Sequence, residues 1–388
     1  MEASRFVARR LRFKGKTAMV SIAVSFLVMI LAQSISAGFR SEIRKGVAAV
    51  SGDVQLVPSD MNYIGEDGPV RISQSFLGKL DSLKGVRETV PVIYRVGIVK
   101  NGEDIHGVLV KGIPAPQDTV PLGVSSPSRL ATLLDLHEGD AMLTYFVGER
   151  VKVRRFQVRS VYPSILDADE NLVVYASLED MQRLNGWSED QVSAFEIRLG
   201  EEFESPAAMS AKNAEIGTLA RLYAGDGDDE MLSTSALQRF PQLFDWLRLI
   251  DMNVLVILVL MTIVAGFNMI SGLLILLFQN ISTIGTLKSL GMTDKAISKV
   301  FLRVSSNLVL KGMALGNGLA LLFCLVQRTT HLVRLNPQNY FVSFVPVRVN
   351  LPAVLLADLA AYAVIMLLLW IPTLFISRVD PAVTVRTQ

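Results

Sequence analysis

The sequence predicts a membrane α-helical protein with four transmembrane helices and a large α+β extracytoplasmic domain inserted between helices 1 and 2. Three observations carry this reading. Residues of the set AVILMFWYC make up 51% of the 388 and charged residues only 19%, with a mean hydropathy of +0.40, too apolar for an ordinary soluble chain of this length. Four runs reach the roughly 20 apolar residues that cross a bilayer. Between the first two of them the chain changes character, with intermittent apolar residues and Gly, Pro and Asp at turn spacing.

The spans are read at 18–37, 252–278, 304–326 and 353–376. Ahead of the first stand Arg5, Arg9, Arg10, Arg12, Lys14 and Lys16 against the lone acid Glu2, so residues 1–17 are expected in the cytoplasm. Alternation then places 38–251 outside, 279–303 inside, 327–352 outside and the tail 377–388 inside. Lys288, Lys295, Lys299 and Arg303 in the inner connection, and Arg378 and Arg386 in the tail, agree with that orientation. A cleavable signal core at the first span is disfavoured, because the apolar run exceeds the 7–15 residues usual for one.

Within 39–250, PVIYRVGIVK and IHGVLVKGI flank an Asn101-Gly102 turn signal and read as a hairpin. Further strands are expected at AMLTYFV, RVKVRRFQVRSVY, NLVVYAS and AFEIRL. SLEDMQRL, opened by Ser177 with Asp180 three residues later, reads as a short capped helix, and PAAMSAKNAEIGTLARLYA as another. A domain of this size admits two subdomains. Before the second span, LSTSALQRFPQLFDWLRLIDMN repeats Phe240, Leu243, Phe244, Leu247 and Ile250 at helical spacing and is expected to continue into the span as one long helix. FRSEIRKGVAAV similarly extends the first, a pairing suited to carrying movement across a membrane.

Most catalytic chemistry is excluded. Gly15-Lys16-Thr17 imitates the end of a phosphate-binding loop, but Arg10 stands where the first glycine is required. ATP hydrolysis therefore falls to a separate chain. His106, His137 and His331 lack ligand spacing, no serine or cysteine sits in a nucleophile motif, and Cys324 is alone in an apolar run. No metal or cofactor is expected, and a formal charge of +2 gives nucleic-acid binding no support. Lys311 and Asp358 fall inside spans three and four, where snorkelling to the nearer interface is the plain expectation.

The run RFPQLFDWLRLIDMNVLVILVLMTIVAGFNMISGLLILLFQNISTIGTLKSLGMTDKAISKVFL resembles the LolC and LolE permeases of the lipoprotein-releasing ABC transporters, within a wider group that includes MacB and FtsX. FVARRLRFKGK, GFRSEIRKGVAAVSGDVQL, YFVSFVPVRVN and SRVDPAVTVR agree. The resemblance implies that 279–303 carries a coupling helix for an ABC ATPase, matched here by Ile284, Gly285, Leu287, Lys288, Leu290, Gly291 and Met292. Ile284, Leu287 and Leu290 are its expected apolar anchors. Gln279, Asn280 and Thr283 stand where the family usually carries acids. The resemblance also implies ATP and Mg on the partner ATPase, a second permease subunit in a homo- or heterodimer, and a location in the inner membrane with the domain in the periplasm. Carrier contact would fall on the connection YPSILDADEN, at Tyr162, Pro163, Ile165 and Leu166, although its short acidic sequence does not support a carrier-binding hook.

The leading expectation is ATP-driven extraction of lipoproteins from the inner membrane. The alternative is a MacB- or FtsX-like mechanotransmission permease acting on a periplasmic substrate or a cell-wall hydrolase. A four-span sensor is the third reading, and neither 1–17 nor the tail is long enough for its output module.

Overall fold

A computed structural model describes residues 16–61, 63–64, 68–102, 104–114, 121–148, 150–163, 172–336, 340 and 342–373. Helix α1 runs unbroken over Lys16–Ser51, about 54 Å at 1.5 Å per residue, well beyond the hydrocarbon thickness it has to cross. The inserted domain follows, with β1 (Val54–Pro58), β2 (Val70–Arg71), α2 (Leu77–Asp81), β3 (Val86–Asn101), β4 (Asp104–Ile113), β5 (Gly123–Pro127), α3 (Ser128–Leu133) and β6 (Ala141–Phe146). It continues with β7 (Lys152–Tyr162), β8 (Val173–Ser177), α4 (Leu178–Asn185), β9 (Gln191–Val192), β10 (Ala194–Leu199), α5 (Pro206–Leu222), β11 (Met231–Ser235) and α6 (Ala236–Arg239). Then come α7 (Pro241–Gln279), α8 (Ile281–Ser289), α9 (Asp294–Thr330), α10 (Leu351–Leu368) and the short α11 (Trp370–Thr373). Four helical segments among the described residues, α1, α7, α9 and Leu351–Thr373, are long and apolar enough to cross a membrane. The chain forms two compact units, the span helices and Arg40–Leu247 with Arg334–Phe344.

The domain is built on a nine-stranded sheet ordered β11-β1-β10-β3-β4-β8-β5-β7-β6, and an added β3–β6 pairing joins its last strand back to β3. Six strands, β3-β4-β8-β5-β7-β6, thus close into a barrel, which removes the edges an open sheet would leave unpaired. Closure needs a close approach where Gly97 of β3 faces Phe146 of β6. A Cβ at Gly97 would lie 2.8 Å from Thr144 Cγ2. Val99, Val110, Phe146, Phe156 and Val158 are buried in one apolar cluster, with the Phe146 and Phe156 rings edge to face. β3, 16 residues long, serves twice. Val86–Val92 pairs with β10 and Ile93–Asn101 with β4, so the barrel and the β11-β1-β10 wing share a strand, and a single apolar cluster spans both.

The hairpin forms as expected, with Asn101 paired to Asp104 and Gly102 in the left-handed region at φ 60°. Asn101 is the last strand residue, so the turn lies one position later than the dipeptide signal suggests. Ser177 caps α4 by accepting from Asp180 N at 3.0 Å. One expectation fails. LSTS is not helical, because Met231–Ser235 pairs antiparallel with β1. The helical stretch starts only after Ser235, whose reciprocal capping box with Gln238 opens α6. Phe240 (φ −123°) then separates α6 from α7.

In the span unit, Ile22, Phe26, Met29, Met269, Leu273, Phe301 and Ile365 form a shared core. Gly312 and Gly316 of α9 lie one turn apart against α1, where a Cβ on Gly312 would sit 2.8 Å from Ile22 Cγ2 and one on Gly316 would run into the Ala23 carbonyl. Such small residues let helices associate in lipid, where apolar burial drives nothing. Asn268 donates to Ser21 Oγ at 2.5 Å, and the Ser306 and Tyr362 hydroxyls lie 2.8 Å apart. Asp358 corrects the snorkelling expectation: it is 5% exposed and accepts from Asn317 Nδ2 at 2.6 Å, held between α9 and α10. Lys311 is exposed.

Replacing Gly316 by Leu should destabilise the bundle by roughly 1–3 kcal/mol through overpacking, whereas Gly318→Leu, with open space around it, should leave stability nearly unchanged. Thermal unfolding of the detergent-purified chain checks this, and equal midpoints for the two variants would contradict the α1–α9 contact.

Candidate functional site: the coupling segment and the helix roots

After α7 the chain turns at Asn280, whose Nδ2 donates to Leu276 O at 2.8 Å. α8 then closes at Leu290 and Gly291, with Gly291 at φ 86°, where a side chain would be strained. Gly291 N donates to Lys288 O and Met292 N to Leu287 O, satisfying carbonyls that the helix end leaves free. Thr293 opens α9, its hydroxyl accepting from Ala296 N, and Lys288 Nζ reaches Asp294 Oδ1 at 2.9 Å. The segment is thus tied to the helices on either side of it.

Its faces are divided differently from the sequence expectation. Ile284 is 1% exposed and packs in the span core with Leu276, Ile297 and Phe301, and Gly285 is buried beside it. Leu287 and Met292 pack half-buried on the same core. A side chain sealed inside its own subunit is not available to fill a partner's groove, so Ile284 is removed from the apolar anchors. Leu290 is 79% exposed and Ile281 39% exposed, and Thr283, Thr286 and Ser289 are exposed around them.

At the expected carrier contact, Tyr162 ends β7. Its hydroxyl donates to Val173 O at 2.5 Å and its ring lies 5.2 Å from that of Tyr175, so it fastens β7 to β8. Pro163 is exposed. Ile165 and Leu166 lie outside the described residues.

The domain also holds a polar assembly that the sequence reading missed. Lys111 on β4 is 1% exposed. Its ammonium donates to Glu196 Oε2 at 2.7 Å and to the Ala49 and Val50 carbonyls at 2.9 and 3.1 Å. These two carbonyls belong to the last turn of α1, so the cation caps the negative end of the helix. Tyr94 donates to Glu196 Oε1, and Gln55 Nε2 to the Tyr94 hydroxyl at 2.5 Å. Burial lowers the Lys111 pKa and raises that of Glu196, each opposed by the partner's charge. Burial also pushes the Tyr175 hydroxyl, bonded to Ala49 O at 3.0 Å, up to about 12. Nearby, Arg44 Nε meets Asp53 Oδ1 at 3.0 Å, and Arg44 Nη2 donates to Gly200 O. A lone Lys in VLVKGI and a lone Glu in AFEIRL are the available sequence signals, and nothing in either run pairs it with the other.

Comparison with known proteins finds relatives in sequence and in structure. Residues 255–381 match the FtsX-like permease C-terminal family. The chain is 22% identical to the lipoprotein-releasing system transmembrane protein LolE of Haemophilus influenzae, over 95% of this chain and 93% of that one. It is 21% identical to LolC of Xylella fastidiosa, over 97% and 94%. The periplasmic region of MacB from Actinobacillus actinomycetemcomitans aligns at 12% identity and TM-score 0.31, covering 52% of this chain and 95% of that one. The extracellular domain of the ABC-type transporter YknZ aligns at 11% and 0.30, covering 48% and 100%. The sequence matches are to FtsX-like permeases and to transmembrane proteins of lipoprotein-releasing systems. The chain is similar along nearly its whole length to LolE and LolC.

The division of α8 makes a direct forecast. Ile284→Ala should cost roughly 2–4 kcal/mol by opening a cavity in the span core, and Leu290→Ala no more than about 0.5 kcal/mol. Denaturation of the purified variants measures both, and the reverse ranking would overturn the assignment of faces.

Proposed function

We propose that this chain is the permease subunit of a lipoprotein-releasing type ABC transporter in the inner membrane, with the inserted domain in the periplasm. The carrying observation is the near full-length similarity to LolE and LolC. The geometry suits the role. α8 is held at its base by Ile284 and the Lys288–Asp294 pair, and it presents Ile281 and Leu290 outward. A partner ATPase, carrying ATP and Mg, would dock on that outward face, and α1 and α7 would convey its closure to the domain. A second permease subunit completes the assembly, and the cargo is a lipoprotein taken from the inner membrane.

Docking is tested by co-purifying the partner ATPase with the Ile281→Asp/Leu290→Asp variant. Unpaired charge in an apolar contact costs several kcal/mol, so recovery of the ATPase should fall at least tenfold while membrane insertion is kept. Unchanged recovery with unchanged stimulated hydrolysis would show that α8 is not the contact.

Orientation is tested separately. In a Cys324→Ser background, a cysteine at Asp104 should react with an impermeant thiol reagent on intact spheroplasts, and one at Lys295 should not. The reversed pattern would invert the topology.

A further inference from the structure

Within the four spans Lys311 is the only basic residue and Asp358 the only acid. Asp358 is already committed, buried between α9 and α10 on the amide of Asn317. Lys311 lies exposed on α9, and among the described residues its ammonium has no ion pair or hydrogen bond. The same helix turns Ser305, Val309, Gly312, Gly316 and Ala320 inward. At 3.6 residues per turn, Arg303, Asn307 and Lys311 fall on the opposite side within an arc of about 80°, and all three are exposed. Further along that side Ala314 and Gly318 are exposed too, with open space around Gly318.

Ionisable residues in a span ordinarily face the bundle interior or a water-filled cavity, because hydrocarbon does not solvate a charge. Lys311 faces outward, about 12 Å along the helix from Arg303. Helical Cα–Cβ bonds tilt toward the N-terminus, which for α9 is the cytoplasmic end, so Lys311 leans over Asn307 toward Arg303. Two cations and an amide therefore descend one lipid-facing strip to the inner headgroup layer. The only acid of the spans is held elsewhere, so the counter-charge for Lys311 has to come from the membrane. The anions that such a strip meets are phosphodiesters of the inner leaflet, whose oxygens take charge-assisted hydrogen bonds from ammonium and guanidinium groups.

We propose that Arg303, Asn307 and Lys311 bind one anionic phospholipid of the inner leaflet, its phosphate held by the three polar side chains and an acyl chain laid along Ala314 and Gly318. The lipid is a resident ligand on the outside of the bundle, not the cargo. Placing the site in the inner leaflet rests on the orientation proposed above, which has its own cysteine-labelling test. Lipid binding itself needs no ATPase.

The full chain is reconstituted in nanodiscs of equal parts phosphatidylglycerol and phosphatidylcholine, and the lipid it keeps on release is identified by native mass spectrometry. The unmodified chain should keep one phosphatidylglycerol in preference to phosphatidylcholine by about tenfold. Asn307→Leu/Lys311→Leu should lose that preference, and Lys311→Arg should retain it. Lys295→Gln removes a lysine about 160° round the helix from Lys311 and should change nothing. Lys311→Gln alone should cut the preference by about threefold, and it decides the matter if the double variant does not fold. Equal retention in the variants and the unmodified chain, or an equal loss in Lys295→Gln, would overturn the proposal. Displacement of the lipid by inorganic phosphate would assign a free-anion site instead. A dimer lost in the double variant while lipid retention stays would give the strip to a second subunit, and either result would also overturn it.

Discussion

The ammonium of Lys111 is the contact on which the domain's attachment to its first helix depends. The last carbonyls of α1 have no partner within the helix, and they end where the chain turns through Gly52 at φ 67°. Lys111 and the Tyr175 hydroxyl supply donors to the Ala49 and Val50 carbonyls. Burying that cation is costly unless a counter-charge is buried with it, and Glu196 provides one with both oxygens, at 2.6 and 2.7 Å. Glu196 needs donors in turn, which Tyr94 provides. Gly52 allows the approach, since a Cβ there would meet Glu196 Cβ at 3.1 Å. One orphaned helix end thus accounts for a row of polar residues that cross otherwise apolar strands.

This organisation explains what the sequence revealed and what it withheld. The spans were legible because bilayer thickness sets a length that composition must fill. The hairpin and α4 were legible because Gly102 and Ser177 act on their own neighbours. β11 was misread as helix because STSALQ carries no strong local preference, and pairing with β1 decided it. Barrel closure, the Lys111–Glu196 pair at a separation of 85 residues and the Asn317–Asp358 bond at 41 are long-range events with no local signature.

The segment around α8 shows the same division. Its position between α7 and α9 and its glycine stop were readable, because Gly291 needs a left-handed backbone. Which side faces inward was not readable. Ile284, Leu287 and Leu290 look equivalent as apolar residues, yet Ile284 is committed to the span core and Leu290 to the outside. A helix nine residues long has two faces of similar content, and the packing of Leu276, Ile297 and Phe301 chooses between them.

Lys111 and Glu196 hold the end of α1 as a pair, and a double-mutant cycle measures their coupling. Lys111→Met and Glu196→Leu, singly and together, are compared by chemical denaturation of the full chain in bicelles. Each single change leaves a buried charge without its partner and should cost about 3–5 kcal/mol, whereas the double change should cost far less than the sum. Costs that simply add would show that the two residues act independently and would contradict the account.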